Sequence, residues 1–397
     1  DVAETVSGLQ PDTTYHYRLV ASDLDQTSYG EDRTFKTPRW GMQSLYEPAG
    51  SDEGGLASVS CVSATQCMAV GTYKNNFGGE VQTRPLAMLR VNETWSLKTP
   101  PAFPSGGKGG ALAGVSCTSA TECTAVGYYL DSSGVQRPLV ERWNGAAWAI
   151  QTAPLPSGAT SGRFRSVSCI SSSACTAVGE YRNAAGATAT LAAQWNGTAW
   201  TPESPPNRGT TDRLRDVSCA SASMCWAVGE YAPTLKEYGE GKKEEAVALR
   251  WDGAAWTSGT LPEAPWRLNS ISCPTTSFCS AVGEDSTVER WSGGSWVRET
   301  MPGPGSPFAI SCQQSLVYIC YAVGSYLTSD GDHIAPMAKY WSGGGAWTEV
   351  GATDPFGLVS GATYSTFNDV SCRTLVDCTA VGTVHTPTPR VFAEVND

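Results

Sequence analysis

Three groups of side chains in this sequence have the types and spacing to hold an anion. Arg163 and Arg165 flank Phe164 and are followed by Glu180; Arg213 and Arg215 flank Leu214 and are followed by Glu230; Arg267 and Asn269 are followed by Glu284. A guanidinium is planar, permanently charged and carries five N–H donors in a fixed fork, which suits a carboxylate or sugar hydroxyls. If Cys169 faces Cys175 across two paired strands, counting outward places Glu180 opposite Phe164, between the two arginines. The same count places Glu230 opposite Leu214. Two readings are open. The groups are rim ion pairs, each worth about 0–1 kcal/mol if exposed, or they form a polar arc that binds an acidic sugar or peptide.

Other chemistry has thinner support. Of the three histidines, His333 and His385 fall in comparable segments of consecutive repeats, with Asp330 and Asp332 beside the first, while His16 lies apart. Such a set would be needed for a metal or an acid/base pair, but two loop histidines are more often incidental. No nucleophile elbow, phosphate-binding glycine loop or H-E-x-x-H helix is present. Neither catalytic residues nor metal ligands nor a cofactor are assigned.

The fourteen cysteines fall in seven copies of one phrase, from VSCVSATQCMAVG at 59 to VSCRTLVDCTAVG at 370. Paired cysteines at a fixed C-x5-C spacing, without neighbouring histidines, do not match the tighter knuckles of zinc sites. They read as local disulfides formed in an oxidising compartment: Cys61 with Cys67, Cys117 with Cys123, Cys169 with Cys175, Cys219 with Cys225, Cys273 with Cys279, Cys312 with Cys320, and Cys372 with Cys378. Secretion or display at the cell surface is therefore expected, with the export signal upstream or removed. The net charge of −11 argues against a nucleic-acid partner, which requires a basic footprint. No run of apolar residues is long enough for a helical membrane span.

Cys61 and Cys372 are six repeats apart, about 52 residues per repeat, a period that signals a repeat architecture. Each repeat contains a V/I-S-C run, a C-x-A-V-G run, an alternating run such as PLVERW (138–143) and, after an Asn-Gly or Ser-Gly turn, a second tryptophan run such as WAIQT (148–152). Apolar alternation and turn pairs of this kind make four strands in a meander. Four antiparallel strands repeated seven times resemble a seven-bladed β-propeller, as in kelch, WD40 and sialidase-like proteins. The repeats are also similar to VSC–CxAVG repeats of secreted actinobacterial proteins, a resemblance that carries no activity. Blades converge at the axis, so VSC suits the thin innermost strand. Trp143 and Trp148, and their counterparts in other repeats, suit the splayed outer part as core rather than as sugar platforms.

The last repeat lacks its tryptophan strand, and WGMQ from Trp40 aligns with WAIQ from Trp148. The N-terminal strand is expected to complete the last blade. Val91 and Val395 are expected where other repeats place their first tryptophan. Residues 1–37 differ: VSGLQPDTTYHYRLVASD and YGEDRTFKTP resemble the last strands of a fibronectin type III domain, which implies a spacer role within a longer, multidomain chain. The domains are thus 1–37, partial fibronectin type III, and 38–397, propeller.

Two kinds of connection vary widely in length between repeats, those joining second to third strands and those between repeats. In a meander both emerge on one face, and function on repeat proteins sits where loops differ. The sequence therefore implies an extracellular binding or adhesion module whose variable face takes a carbohydrate or protein. A structural spacer and a carbohydrate-active enzyme are the alternatives.

Overall fold

The computed structural model describes residues 14–22, 26–36, 40–43, 45–77, 80–100, 103–104, 106–233, 244–262, 266–329, 331–352, 359, 362–374, 377–386 and 388–396. Every regular element among them is a strand. Each cysteine repeat folds as an antiparallel meander, called here units 1 to 7 in chain order. Unit 2, with strands Gly109–Ser119, Glu122–Leu130, Gln136–Trp143 and Trp148–Gln151, is representative.

The motif letters each have a place. Strand alternation sends successive side chains to opposite faces. Ala125 of the A-V-G run thus packs toward unit 1, and Val126 toward unit 3. Every hydrophobic cluster is drawn from two units, and one joins Val381, Val391 and Ala393 of unit 7 to Leu56 and Val59 of unit 1. At the other end of the strands, cysteines and tryptophans form a row. Cys117 faces Cys123, which faces Trp143, which faces Trp148. All seven expected disulfides are present and no cysteine is free. The tryptophans are core: Trp143, Trp195 and Trp251 are between 4 % and 7 % exposed.

Serine of V-S-C joins neighbouring units. Its Oγ accepts the backbone N–H of the next unit's first cysteine, as in Ser60 to Cys117, Ser116 to Cys169 and Ser168 to Cys219, at 2.9–3.0 Å. The series continues through Ser218, Ser272 and Ser311, and the last bond, from Cys61 N–H to Ser371, links unit 1 to unit 7.

The first two strands of every unit share a one-residue register shift. Leu56 pairs with Gly71 and Ser58 with Val70, so Ala57 is extra; the extra residue is Ala113 in unit 2, Arg165 in unit 3, Arg215 in unit 4, Asn269 in unit 5, Phe308 in unit 6 and Asn368 in unit 7. A β-bulge of this kind bends its strand and re-aims side chains. It also pushes a carbonyl of the first strand against the glycine of A-V-G. A Cβ on Gly71, Gly127, Gly179, Gly229, Gly283, Gly324 or Gly382 would lie 1.9–2.1 Å from that oxygen.

Trp40–Met42 pairs antiparallel with the third strand of unit 7, Trp40 opposite Asn396, and so supplies that unit's fourth strand as expected. Trp40 is fully buried against Tyr321 and Phe367. The positions given to Val91 and Val395 are off by one. Cys67 faces Arg90 and Cys378 faces Asn396, so these two residues stand where other units have tryptophan. Within 1–37, the described residues form two antiparallel strand pairs, Thr14–Tyr17 with Arg33–Lys36 and Val20–Ser22 with Thr27–Tyr29. Residues 1–13, 23–25 and 37 of the fibronectin-like stretch lie outside the described residues.

Two stability predictions arise from this packing. Gly229→Ala should cost about 1–3 kcal/mol or more through overpacking, seen as a lower denaturant midpoint. Gly294→Ala, where a Cβ meets nothing within 4 Å, should leave that midpoint unchanged. Trp40→Ala should cost about 3–5 kcal/mol by emptying the last unit's core, and an unaltered melting temperature would show that the strand contributes nothing.

Candidate functional site

The bulge residues converge. Together with the residue that follows each, they line a narrow cavity of about 110 Å³ to which all seven units contribute. Arg165, Arg215, Asn269, Phe308 and Ala113 also line a wider mouth of about 300 Å³. Each bulge precedes the V/I-S-C run of its first strand, on the side of the connection that enters the unit. Arg165, Arg215 and Asn269, singled out in the sequence, thus meet in one place.

The register count from the cysteines needs correction, because the bulge intervenes. Glu180 pairs with Arg163, not Phe164, and Glu230 with Arg213, not Leu214. Both arginines of each pair still reach the carboxylate. Arg163 Nε donates to Glu180 Oε1 at 2.5 Å, while Arg165 donates through Nε to Oε2 at 2.6 Å and through Nη2 to Oε1 at 3.0 Å. Arg215 clamps Glu230 in the same two-pronged way, and Arg213 lies 3.6 Å from Glu230 and 3.5 Å from Glu244. Arg267 pairs with Glu284, and Asn269 Nδ2 donates to Pro307 O at 3.0 Å. Burial opposes ionisation of Glu180, but the charges and hydrogen bonds of Arg165 and Arg163 outweigh it and hold the carboxyl below its ordinary range.

These are not the exposed rim pairs of the simpler reading. Glu230 is inaccessible to solvent, and removing one partner of such a pair typically costs about 3–5 kcal/mol. The glutamates fix the forks of Arg165 and Arg215. Each of these two guanidiniums is held by Nε and Nη2, and Nη1 has no acceptor among the described residues.

Two aspartates in the cavity escaped the sequence reading. Asp216 accepts four hydrogen bonds, from Ser166 Oγ and Val217 N–H on one oxygen and from Ser270 Oγ and Ile271 N–H on the other, at 2.6–2.8 Å. One carboxylate thereby ties units 3, 4 and 5. Asp369 accepts from Val59 and Val370 N–H, joining units 7 and 1. Burial pushes the Asp369 carboxyl up to about 7, and the Asp216 charge adds to the rise. Burial raises Asp216 as well. The available signal was an acidic residue before V-S-C in only two of the copies.

The histidines do not assemble a site. His16 pairs with exposed Asp32 at 2.8 Å. His333 precedes the strand Ile334–Ser342, and the strand Tyr364–Cys372 lies between that strand and the one that carries His385. Asp330 lies outside the described residues. No group of three or more histidine, cysteine, aspartate or glutamate side chains among the described residues is placed to hold a metal ion.

No family model matches the chain, and no curated protein matches it. Solved structures do. The WD40 β-propeller domain of Doa1 superposes with a TM-score of 0.53 at 11% identity, over 90% of this chain and 97% of that one. YCF48 from Cyanidioschyzon merolae gives 0.51 at 14%, over 90% and 98%. At these identities the likeness defines the fold, which is that of a β-propeller.

One further ionisable group is placed at a unit interface, away from the cavity. Glu141 of unit 2 faces Ala125 and Ile150, is fully buried, and neither carboxyl oxygen has a hydrogen-bond partner among the described residues. Burial pushes it up to about 8. At the equivalent place unit 1 has Met88 and unit 4 has Leu249. Because the folded value lies above the unfolded one, the native state binds the extra proton. Stability is full below about pH 4.5 and declines by about 1.4 kcal/mol per pH unit until about pH 8. Glu141→Met should remove this contribution to the decline and raise stability at pH 8; equal pH profiles of the two proteins would refute the assignment.

Proposed function

We propose that this chain is an extracellular binding module, a seven-bladed β-propeller whose last blade is completed by Trp40–Met42 and which follows the end of a fibronectin type III domain. It holds a protein or carbohydrate ligand on the variable-loop face, around the axial mouth. One observation carries this reading. The fixed letters of V/I-S-C and A-V-G repeat a narrow set of residues for packing or bonding, whereas the bulge residues that meet at the mouth are Ala, Ala, Arg, Arg, Asn, Phe and Asn. A fold that fixes the backbone at seven equivalent points and varies the side chains there is built like a recognition surface on a rigid frame. Seven disulfides fit an oxidising, extracellular location.

A spacer role has its own support, because every arginine of the arc is engaged by a glutamate. The two readings part on one experiment. The secreted propeller is applied to arrays of glycans and of extracellular proteins, beside a variant with Arg165, Arg215 and Phe308 changed to alanine, leucine and alanine. Binding that the variant loses, with its fold intact by circular dichroism, supports a recognition module. Absence of binding on every array, or binding the variant retains, favours the spacer.

A further inference from the structure

We infer that the axial mouth takes a carboxylate from an acidic segment of a protein ligand, seated on the Nη1 groups of Arg165 and Arg215. This rests on the binding-module reading and names the ligand class for its site. Each guanidinium has two edges. Glu180 and Glu230 occupy the Nε–Nη2 edges, which fixes both planes and leaves the Nη1 donors, two N–H groups each, without an acceptor among the described residues, beside a cavity of about 300 Å³. Preorganised forks of this kind favour a planar oxyanion over a hydrated point charge.

The surroundings select further. Asp216 and Asp369 line the cavity adjoining the mouth, so a singly charged carboxylate meets less repulsion than a doubly charged phosphate. Asn269 and Asn368 have Nδ2 committed to the carbonyls of Pro307 and Leu56, which leaves each Oδ1 as an acceptor for a ligand N–H. Phe308 and Ala113 make the remaining wall apolar. Charge acceptance, N–H acceptance and an apolar wall within one mouth match a peptide carrying an acidic residue beside an apolar one. The chain as a whole bears a net charge of −11, so a polyanion gains nothing from its general field and must bind through a local site.

The test uses fluorescein-labelled poly-L-glutamate, followed by anisotropy against the intact chain, with poly-L-glutamine and polygalacturonate as comparators. Poly-L-glutamate should bind and poly-L-glutamine should not, and raising the salt should weaken the complex. Arg165→Gln with Arg215→Gln should weaken it by more than about tenfold. That pair strands two buried glutamates, so two variants guard against misfolding. Adding Glu180→Gln and Glu230→Gln restores the charge balance while the forks stay absent, and weak binding is again expected. Ala113→Glu keeps both clamps and places a competing carboxylate in the mouth, and it should block the probe without lowering the melting temperature. No binding of poly-L-glutamate, or binding that all three variants retain, overturns the site. Preference for polygalacturonate assigns the carboxylate to an acidic polysaccharide and overturns the protein source. If the probe fails while the arrays yield a ligand, the carboxylate inference falls and the binding module stands; failure of both removes both.

Discussion

A carbonyl oxygen about 2 Å from where a glycine Cβ would be is the contact on which this fold turns. The bulge in each first strand drives that oxygen toward the second strand, and only the glycine of A-V-G leaves room for it. The same bulge turns one residue per unit to the axis. Packing and the lining of the axial cavity are therefore coupled at one point. The glycine is fixed because the oxygen must fit, and the residue at the bulge is free because its side chain points into a cavity rather than a core.

Around this point the hydrogen bonds run between units as well as within them. Among the described residues no innermost strand pairs with the innermost strand of a neighbouring unit. A serine hydroxyl spans the gap instead, accepting the next unit's cysteine N–H in all seven steps. An unpaired buried N–H costs about 1–3 kcal/mol, so the serine answers a requirement of every unit. Asp216 does the work of two such serines, taking two backbone and two side-chain donors. It does so at the cost of a carboxyl whose burial opposes its charge, which explains why most units use serine, glycine or alanine there.

What repeats in this chain was legible from its letters. The seven disulfides, the buried tryptophans and the N-terminal strand were found because each has at least four counterparts to align with. The bulge was not, and the reason is physical. Its extra residue varies among alanine, arginine, asparagine and phenylalanine, and a count from the cysteines assumes unbroken pairing, so Glu180 and Glu230 were placed one residue away from their true partners. Arg163, Arg165, Arg213 and Arg215 were nevertheless grouped correctly, because long guanidinium side chains reach a carboxylate from either register. Arg90 was missed by the same kind of slip: Val91 pairs with Thr94 beyond it, tightening the turn by one pair. Asp216 and Asp369 stayed hidden because the innermost strand looked like a place for small residues alone.

The distribution of charge around the axis gives the mouth a direction. Units 3 and 4 contribute arginines, units 5 and 7 asparagines, unit 6 a phenylalanine, and units 1 and 2 alanines. The cavity is thus one-sided, with guanidinium donors grouped on two adjacent units and alanines on the two units that precede them. Each arginine is held by a glutamate of its own unit, Glu180 or Glu230, on the second strand opposite the bulge. The clamp and the fork are then parts of one hairpin, whose register the disulfide and the bulge set together. The asymmetry of the mouth is accordingly written in the few positions that the shared architecture leaves unconstrained, while the geometry that aims those residues is common to all seven units.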